Sequence, residues 1–261
     1  MDPSAIDRAA DLLAGARRDL TLLDGLPDNC RPDNIEDAYL VQDALAARLG
    51  VAPVGWKVGC TNAAIQAKLG CDEPNAGRIL ASTLRDSPAR LPAAAMFGCG
   101  LEAEFAFRLA DDLPAAGAPY DRDDVAAAVA GLHPAIEVVG GRFRDWMNVG
   151  AVLLAADNVV HCALVIGATV ADWRGIDLAG HEAALAINGD EIGRGTGANV
   201  LGHPLEALAW LANHRAKRGE GLKAGDVITT GSICPAFGWA EAGDAVEARF
   251  GDLGAVRIDF E

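Results

Sequence analysis

Apolar residues recur with helical spacing near the amino terminus and with shorter, strand-like spacing from about Leu91 onward. Asp2 before Pro3 reads as an N-cap with proline at the first helical position, and Ile6, Ala9, Leu13 and Ala16 then form one apolar stripe. A second helix is announced by Asn34 with Asp37 three residues on, a loose relative of the capping box. Ala38, Val41, Leu45 and Leu49 carry it forward until Gly50 stops it. Short strands are expected near 101–108, 135–139, 162–167, 183–187, 191–194, 226–230, 245–250 and 255–260. Helices are expected to interrupt them at about 122–131, 143–155 and 204–217. Asn188-Gly189 between apolar runs predicts a two-residue hairpin, because a type I′ turn needs positive φ at both positions. Further turns are expected at Gly243-Asp244 and around Asp252 and Gly254. Consecutive strands that pair as hairpins, with helices kept outside, predict an α+β fold on a curved mixed sheet.

Composition bounds the function. At 261 residues, 51% hydrophobic and with 30 glycines, the chain is long enough to bury a substantial core and rich in turns. No linker, repeat or low-complexity tract divides it. A net charge of -15 repels nucleic-acid phosphates and anionic lipid heads, so neither partner is expected. An anionic substrate would instead need a local positive centre, which a bound metal supplies. The cysteines Cys30, Cys60, Cys71, Cys99, Cys162 and Cys234 are scattered, without a Cys-x-x-Cys pair, and read as reduced thiols of a cytoplasmic protein. The amino terminus carries acids before any apolar stretch. Nowhere does an uncharged apolar run reach the roughly 18 to 20 residues that span a bilayer.

The chemistry centres on carboxylates. Glu102 and Glu104 alternate along one strand with Leu101, Ala103, Phe105 and Phe107, so both acids share a face. They fit the solvated face of an edge strand as well as a ligand pair. Glu137, inside the apolar run Pro-Ala-Ile-Glu-Val-Val, shifts the balance, since an ionised group there needs compensation; three converging carboxylates point to a hard divalent cation. Lys57 is the sole charge between Arg48 and Lys68 and sits in Gly55-Trp56-Lys57-Val58-Gly59, either near the interior or as a surface lysine with its stem on apolar surface. Ser232, in Thr229-Thr230-Gly231-Ser232, suits a hydrogen bond to a substrate head or an ordinary turn. Asp157-Asn158 reads as a helix terminus and turn, supporting a site at most from behind. His133, His161, His181, His203 and His214 lack the clustering of a zinc site and read as structural or surface residues. The Gly193–Gly197 stretch lacks the ending of a phosphate-binding loop.

At these residues the chain resembles a known family. GWKVGCTN, EPNAGRIL, GLEAEFAFRLADDLP, PAIEVVGGRFRDW, ADN, NGDEIGRGTGANVLGHPLEALAWLA and LKAGDVITTGS look, in this order and over almost the whole chain, like the 2-keto-4-pentenoate (2-hydroxypenta-2,4-dienoate) hydratases of the fumarylacetoacetate hydrolase superfamily. The resemblance implies a mixed β-sandwich roll and a Mg²⁺ or Mn²⁺ ion. It also implies a small 2-keto or 2-hydroxydienoic acid substrate from aromatic ring cleavage, and a homo-oligomer. Glu102, Glu104 and Glu137 would be the metal ligands and Lys57 the active-site cation. The chain departs from the branch at Asn75, in the segment where an aspartate is often found; an amide does not take up a proton as a carboxylate does.

The resemblance, laid over these residues, implies an organisation and a chemistry. Residues 1–90 would form a helical region contributing Lys57, and 91–261 a β-rich catalytic domain. The expected reaction is metal-assisted hydration of a dienol acid to a 4-hydroxy-2-keto acid, with Lys57, Asn75 and Ser232 as candidate catalytic residues. The same chelate would serve a 4-oxalocrotonate-type decarboxylase. A non-catalytic subunit of a complex with an aldolase or decarboxylase partner is a further alternative, against which the intact Lys57 and three glutamates speak.

Overall fold

The computed structural model describes residues 1–234 and 238–261. Two helices open the chain, α1 (Pro3–Asp19) and α2 (Ile35–Leu49). They are followed by β1 (Pro53–Gly59), α3 (Ala63–Leu69), β2 (Asn75–Leu80), β3 (Leu84–Asp86) and β4 (Ala89–Leu91). The middle of the chain holds β5 (Gly100–Leu109), α4 (Arg122–Ala127), β6 (Val129–Val139), α5 (Gly150–Ala156) and β7 (His161–Ile166). Then come β8 (Glu182–Ile187), β9 (Asp190–Thr196), α6 (Pro204–Lys217), β10 (Val227–Thr229), β11 (Gly238–Trp239), β12 (Ala245–Arg249) and β13 (Ala255–Phe260).

The strands form two mixed sheets. The larger runs β2-β1-β10-β5-β6-β7-β3, with β11 added beside β5, and the smaller runs β4-β13-β12-β8-β9. They pack face to face over one core, where Phe105 of β5 meets Phe250 with ring centroids 5.6 Å apart. This is the α+β class expected from the hairpin pattern and the sandwich roll that the resemblance implied. Local chemistry explains its parts: Asn34 accepts from the Asp37 amide at the start of α2, and Gly50 ends that helix at φ 63°. Asn188 and Gly189 take φ of 52° and 89°, as the type I′ hairpin between β8 and β9 requires. The stripe of α1 buries Ala9, Leu13 and Ala16, and α1 shares a second core with α2 and α5.

The region before Leu91 departs from the helical expectation, because it also supplies β1 to β4. β1 lies inside the large sheet, parallel to β10 and antiparallel to β2, so its central residues are buried without the alternation that marks a half-exposed strand. Gly55 permits that placement: a Cβ there would stand 1.8 Å from the Val227 carbonyl oxygen. The helix expected at 122–131 stops at Ala127, since Val129 and Leu132 belong to β6 and its core. The helix expected over 143–155 begins only at Gly150, and Phe143 is instead buried among α1, α2 and α5. No helix among the described residues is long and apolar enough to cross a membrane.

Candidate active site

The carboxylates are held by strand register. β5 and β6 pair antiparallel with Glu102 opposite Glu137, so Glu102, Glu104 and Glu137 project from the same face of the large sheet. Because β5 lies between β10 and β6, the edge-strand alternative fails: Glu104 and Glu137 are fully buried and Glu102 partly so. One oxygen from each of the three lies within 4.8 Å of the others. Lys57 enters from β1, its own partners being Thr229 of β10 and Gly77 of β2. Its buried Nζ stands 3.2 Å from Glu137 Oε2.

Each carboxylate has a different environment. Thr229 Oγ1 donates to Glu104 Oε2, which also receives the Gly231 amide at 2.8 Å. Gly231 can make that approach because its φ is 106° and a Cβ would collide with Thr61. Glu137 Oε1 is bonded to His161 Nδ1 at 2.8 Å, and the far ring nitrogen of His161 meets Thr83 Oγ1 at 2.9 Å. Glu104 Oε1 is buried with no hydrogen bond, and Glu137 Oε2 has the Lys57 charge nearby but no aligned donor. Buried acceptors left open in this way fit a cation that would complete them.

The charges respond to this crowding. Burial, against the pull of Lys57, lifts the Glu102 carboxyl to about 7, with Glu137 adding to the rise. Burial lifts Glu104 well above the usual carboxylate range, helped by Glu137 and Glu102. Burial acts the same way on Glu137, but Lys57 and His161 outweigh it and hold that group below its ordinary value. Burial works against the Lys57 ammonium, yet the three glutamates prevail and keep it protonated. Three acids face one cation, and a divalent ion held among them would displace the protons that burial favours on Glu102 and Glu104 and balance the ionised cluster.

Lys57 and Glu102 open onto a cavity of about 80 Å³. Ser232 and Thr61 lie in its wall, and Leu69, Val139, Leu154 and Val160 make much of the rest. Ser232 Oγ donates to the Cys234 carbonyl at 2.8 Å, a turn bond made at the cavity rim. Asn75 is buried but does not line the cavity; its amide reaches Cys60 Sγ at 3.7 Å, and Cys60 does line it. His161, read from the sequence as structural, is in direct contact with the carboxylate cluster. Its partner lies on the neighbouring strand, so no spacing within the chain could signal the pair. What the sequence offered was only its place just after Asp157-Asn158.

That segment earns its place through geometry. Asn158, Val159 and Val160 take three successive positive φ values of 57°, 49° and 53°, a conformation that β-branched residues rarely adopt and that surrounding bonds must enforce. Asn158 bonds both the amide and the carbonyl of Arg78 on β2. Asp157 is bonded by Arg142 through its carboxylate and its carbonyl, and by Arg17. The bend delivers His161 to Glu137 and turns Val159 and Val160 toward the cavity.

Residues 78–261 match the C-terminal domain of the fumarylacetoacetate (FAA) hydrolase family. The chain belongs to that family. Over its full length it is similar to a 2-keto-4-pentenoate hydratase of Paraburkholderia xenovorans, with 33% identity over 100% of this chain and 97% of the relative. It is also similar to a 2-hydroxyhexa-2,4-dienoate hydratase of Comamonas testosteroni, with 34% identity over 99% and 98% of the two chains. A solved structure of 4-oxalocrotonate decarboxylase from Pseudomonas putida G7, complexed with magnesium and adipate, superposes with a TM-score of 0.93 at 27% identity, covering 100% and 99%. The family match begins beyond Lys57 and Asn75, but these full-length likenesses include both.

Proposed function

We propose that this protein is a hydro-lyase that adds water to a 2-hydroxy-2,4-dienoate, giving a 4-hydroxy-2-keto acid, with Mg²⁺ or Mn²⁺ held by Glu102, Glu104 and Glu137. The observation that carries the reading is the cluster of three converging carboxylates, with its open buried oxygens, beside one buried lysine on a largely apolar-walled cavity. When bound, the ion would supply Lewis-acid stabilisation of negative charge on the C2 oxygen and carboxylate of the substrate. Lys57, kept as an ammonium, adds a fixed positive charge for the same oxygens and is not a base. Ser232 Oγ, at the rim, exchanges its bond to Cys234 for one to the substrate carboxylate. Asn75 acts through Cys60 and the cavity wall, and His161 positions Glu137. The dienol loses its O2 proton and gains one at C5, forming an α,β-unsaturated ketone; water oxygen then bonds to C4 and a proton goes to C3. Apolar walls keep stray water from the enol.

The cavity also discriminates between the two enzyme readings. Lys57 is the only cation among the described residues that line it, which favours a monoacid, since the second carboxylate of an enedioate would find the neutral side chains of Thr61 and Asn62 and a largely apolar wall but no second positive charge. The structural likeness to 4-oxalocrotonate decarboxylase keeps that reaction as the second reading. Incubating the magnesium-loaded protein with 2-hydroxypenta-2,4-dienoate and, separately, with 4-oxalocrotonate tests the choice. Formation of the 4-hydroxy-2-keto acid without CO₂ is expected; CO₂ release from the enedioate as the faster reaction would reverse it. The proposal includes a cytoplasmic homo-oligomer within aromatic catabolism, with an aldolase or decarboxylase as pathway partner. A strictly monomeric mass by light scattering would remove the assembly from it.

A further inference from the structure

A second cavity, of about 350 Å³, has Thr83 in its wall, whose hydroxyl meets the His161 ring that bonds Glu137 of the carboxylate cluster. Arg17, Arg85, Arg90 and Arg142 line it, and no carboxylate among the described residues does. In a chain with 37 acids against 22 lysines and arginines, that concentration runs against the composition. The remaining wall is largely apolar, including Leu20, Leu80, Leu91, Pro92 and Phe97, with the hydroxyls of Ser82 and Thr83 between.

The charge balance beneath this cavity is incomplete. Asp157, fully buried, is shared by two arginines. Arg142 takes its carboxylate at 2.7 Å, and Arg17 reaches the same oxygen at 3.3 Å. Arg142 uses every arm of its guanidinium, on Asp157, on the Asp157 carbonyl and on Cys162 Sγ. Arg17 does not: its Nε is buried with no hydrogen-bond partner. Burial, with Arg142 alongside, draws the Arg17 guanidinium down to about 10, as fits a cation short of counter-charge. Nearer solvent, Arg85 bonds only the Leu84 carbonyl and has no ion-pair partner among the described residues, and Arg90 is loosely paired with the exposed Glu261.

We propose that this cavity is a binding site for a small organic carboxylate with an apolar body, the anion facing Arg17 and the rim arginines and the hydrocarbon lying against the leucines and Phe97. Its volume is at the small end of the roughly 300–1,000 Å³ of ligand pockets, enough for a short-chain or single-ring acid. Guanidinium groups recognise carboxylates through charge-assisted hydrogen bonds that a neutral isostere cannot replace. The site is separate from the metal cluster in residues and in chemistry, and so does not depend on the hydratase reading.

Calorimetric titration with benzoate and hexanoate, and with neutral benzamide, tests it. The magnesium-loaded protein and its Glu104→Gln variant, in which the metal cluster is disabled, are compared. Saturable one-to-one binding of either acid in both proteins is expected, weaker at high salt and absent for benzamide. Arg17→Met and the cavity-filling Ala95→Phe should each weaken it by about tenfold or more. Because Arg17 also supports a buried turn, Arg85→Ala at the rim and Ala95→Phe decide the matter if Arg17→Met does not fold. Failure of both acids to bind, equal binding of benzamide, or binding that vanishes in Glu104→Gln and ignores Ala95→Phe would each overturn the assignment. The last result would place the anion at the metal cluster.

Discussion

Glu102 and Glu137 stand directly opposite one another across the β5–β6 ladder, with Glu104 one pleat further along the same face. Like charges in that relationship destabilise an antiparallel pair, and burial of Glu104 and Glu137 magnifies the effect. A divalent ion should therefore stabilise the fold as well as the reaction. At about 100 times its Kd the gain is about 2.7 kcal/mol, visible as a rise in Tm. Glu104→Gln and Glu137→Gln keep the shape of the side chain and remove the charge, so each should fold yet lose most divalent-ion affinity and activity. Unchanged Mg²⁺ binding by calorimetry in both variants would rule out the ligand assignment.

Lys57 is the counter-cation of the cluster, and Lys57→Met preserves its aliphatic length while deleting the charge. With metal saturating, the variant should melt near the wild type, because the ion then compensates the glutamates in its place. Turnover should fall by about a hundredfold or more, the scale of losing one preorganised charge-stabilising donor. Near-normal turnover in a steady-state assay would put Lys57 outside the chemistry.

Asp157 is fully buried between Arg142 and Arg17 and holds the strained bend before His161. Asp157→Asn leaves both guanidinium groups without an anionic partner, which should cost about 3 kcal/mol or more in a urea titration. It should also weaken metal binding, since the bend delivers His161 to Glu137. A variant with wild-type stability and metal affinity would show that the bend holds itself.

The ring of His214 stacks on Trp210, centroids 4.8 Å apart, and tilts against Tyr39 at 4.9 Å. Burial, then the nearby Arg215, Arg218 and Lys217, pushes its pKa down from 6.5 to about 4. The unfolded chain thus takes up this proton at a higher pH than the folded protein does. The stability contributed by neutral His214 is present above the unfolded value and is lost as pH falls from about 6.5 toward 4. His214→Phe, which keeps a ring in the stack, should flatten the decline of Tm across that window. Parallel Tm profiles for the two proteins would contradict the assignment.

Much of this protein was written locally. Asn34, Gly50, Pro3 and Asn188-Gly189 act on the residues beside them, so both opening helices and the β8–β9 hairpin followed from sequence. The alternation of β5 likewise put Glu102 and Glu104 on one face before any fold was known. Other features depend on residues far apart in the chain. β1 is legible only once β10 and β2 bury it on both flanks, and Lys57 counts as a buried cation only because that placement brings it to Glu137. His161 and Arg17 gain their partners through the left-handed bend and the docking of α1, and neither leaves a periodic trace. Sequence determined which backbone segments cap, turn and alternate, because those preferences are short-range; tertiary structure decided which charges share a low-dielectric site, because burial and Coulomb energy depend on distance in space.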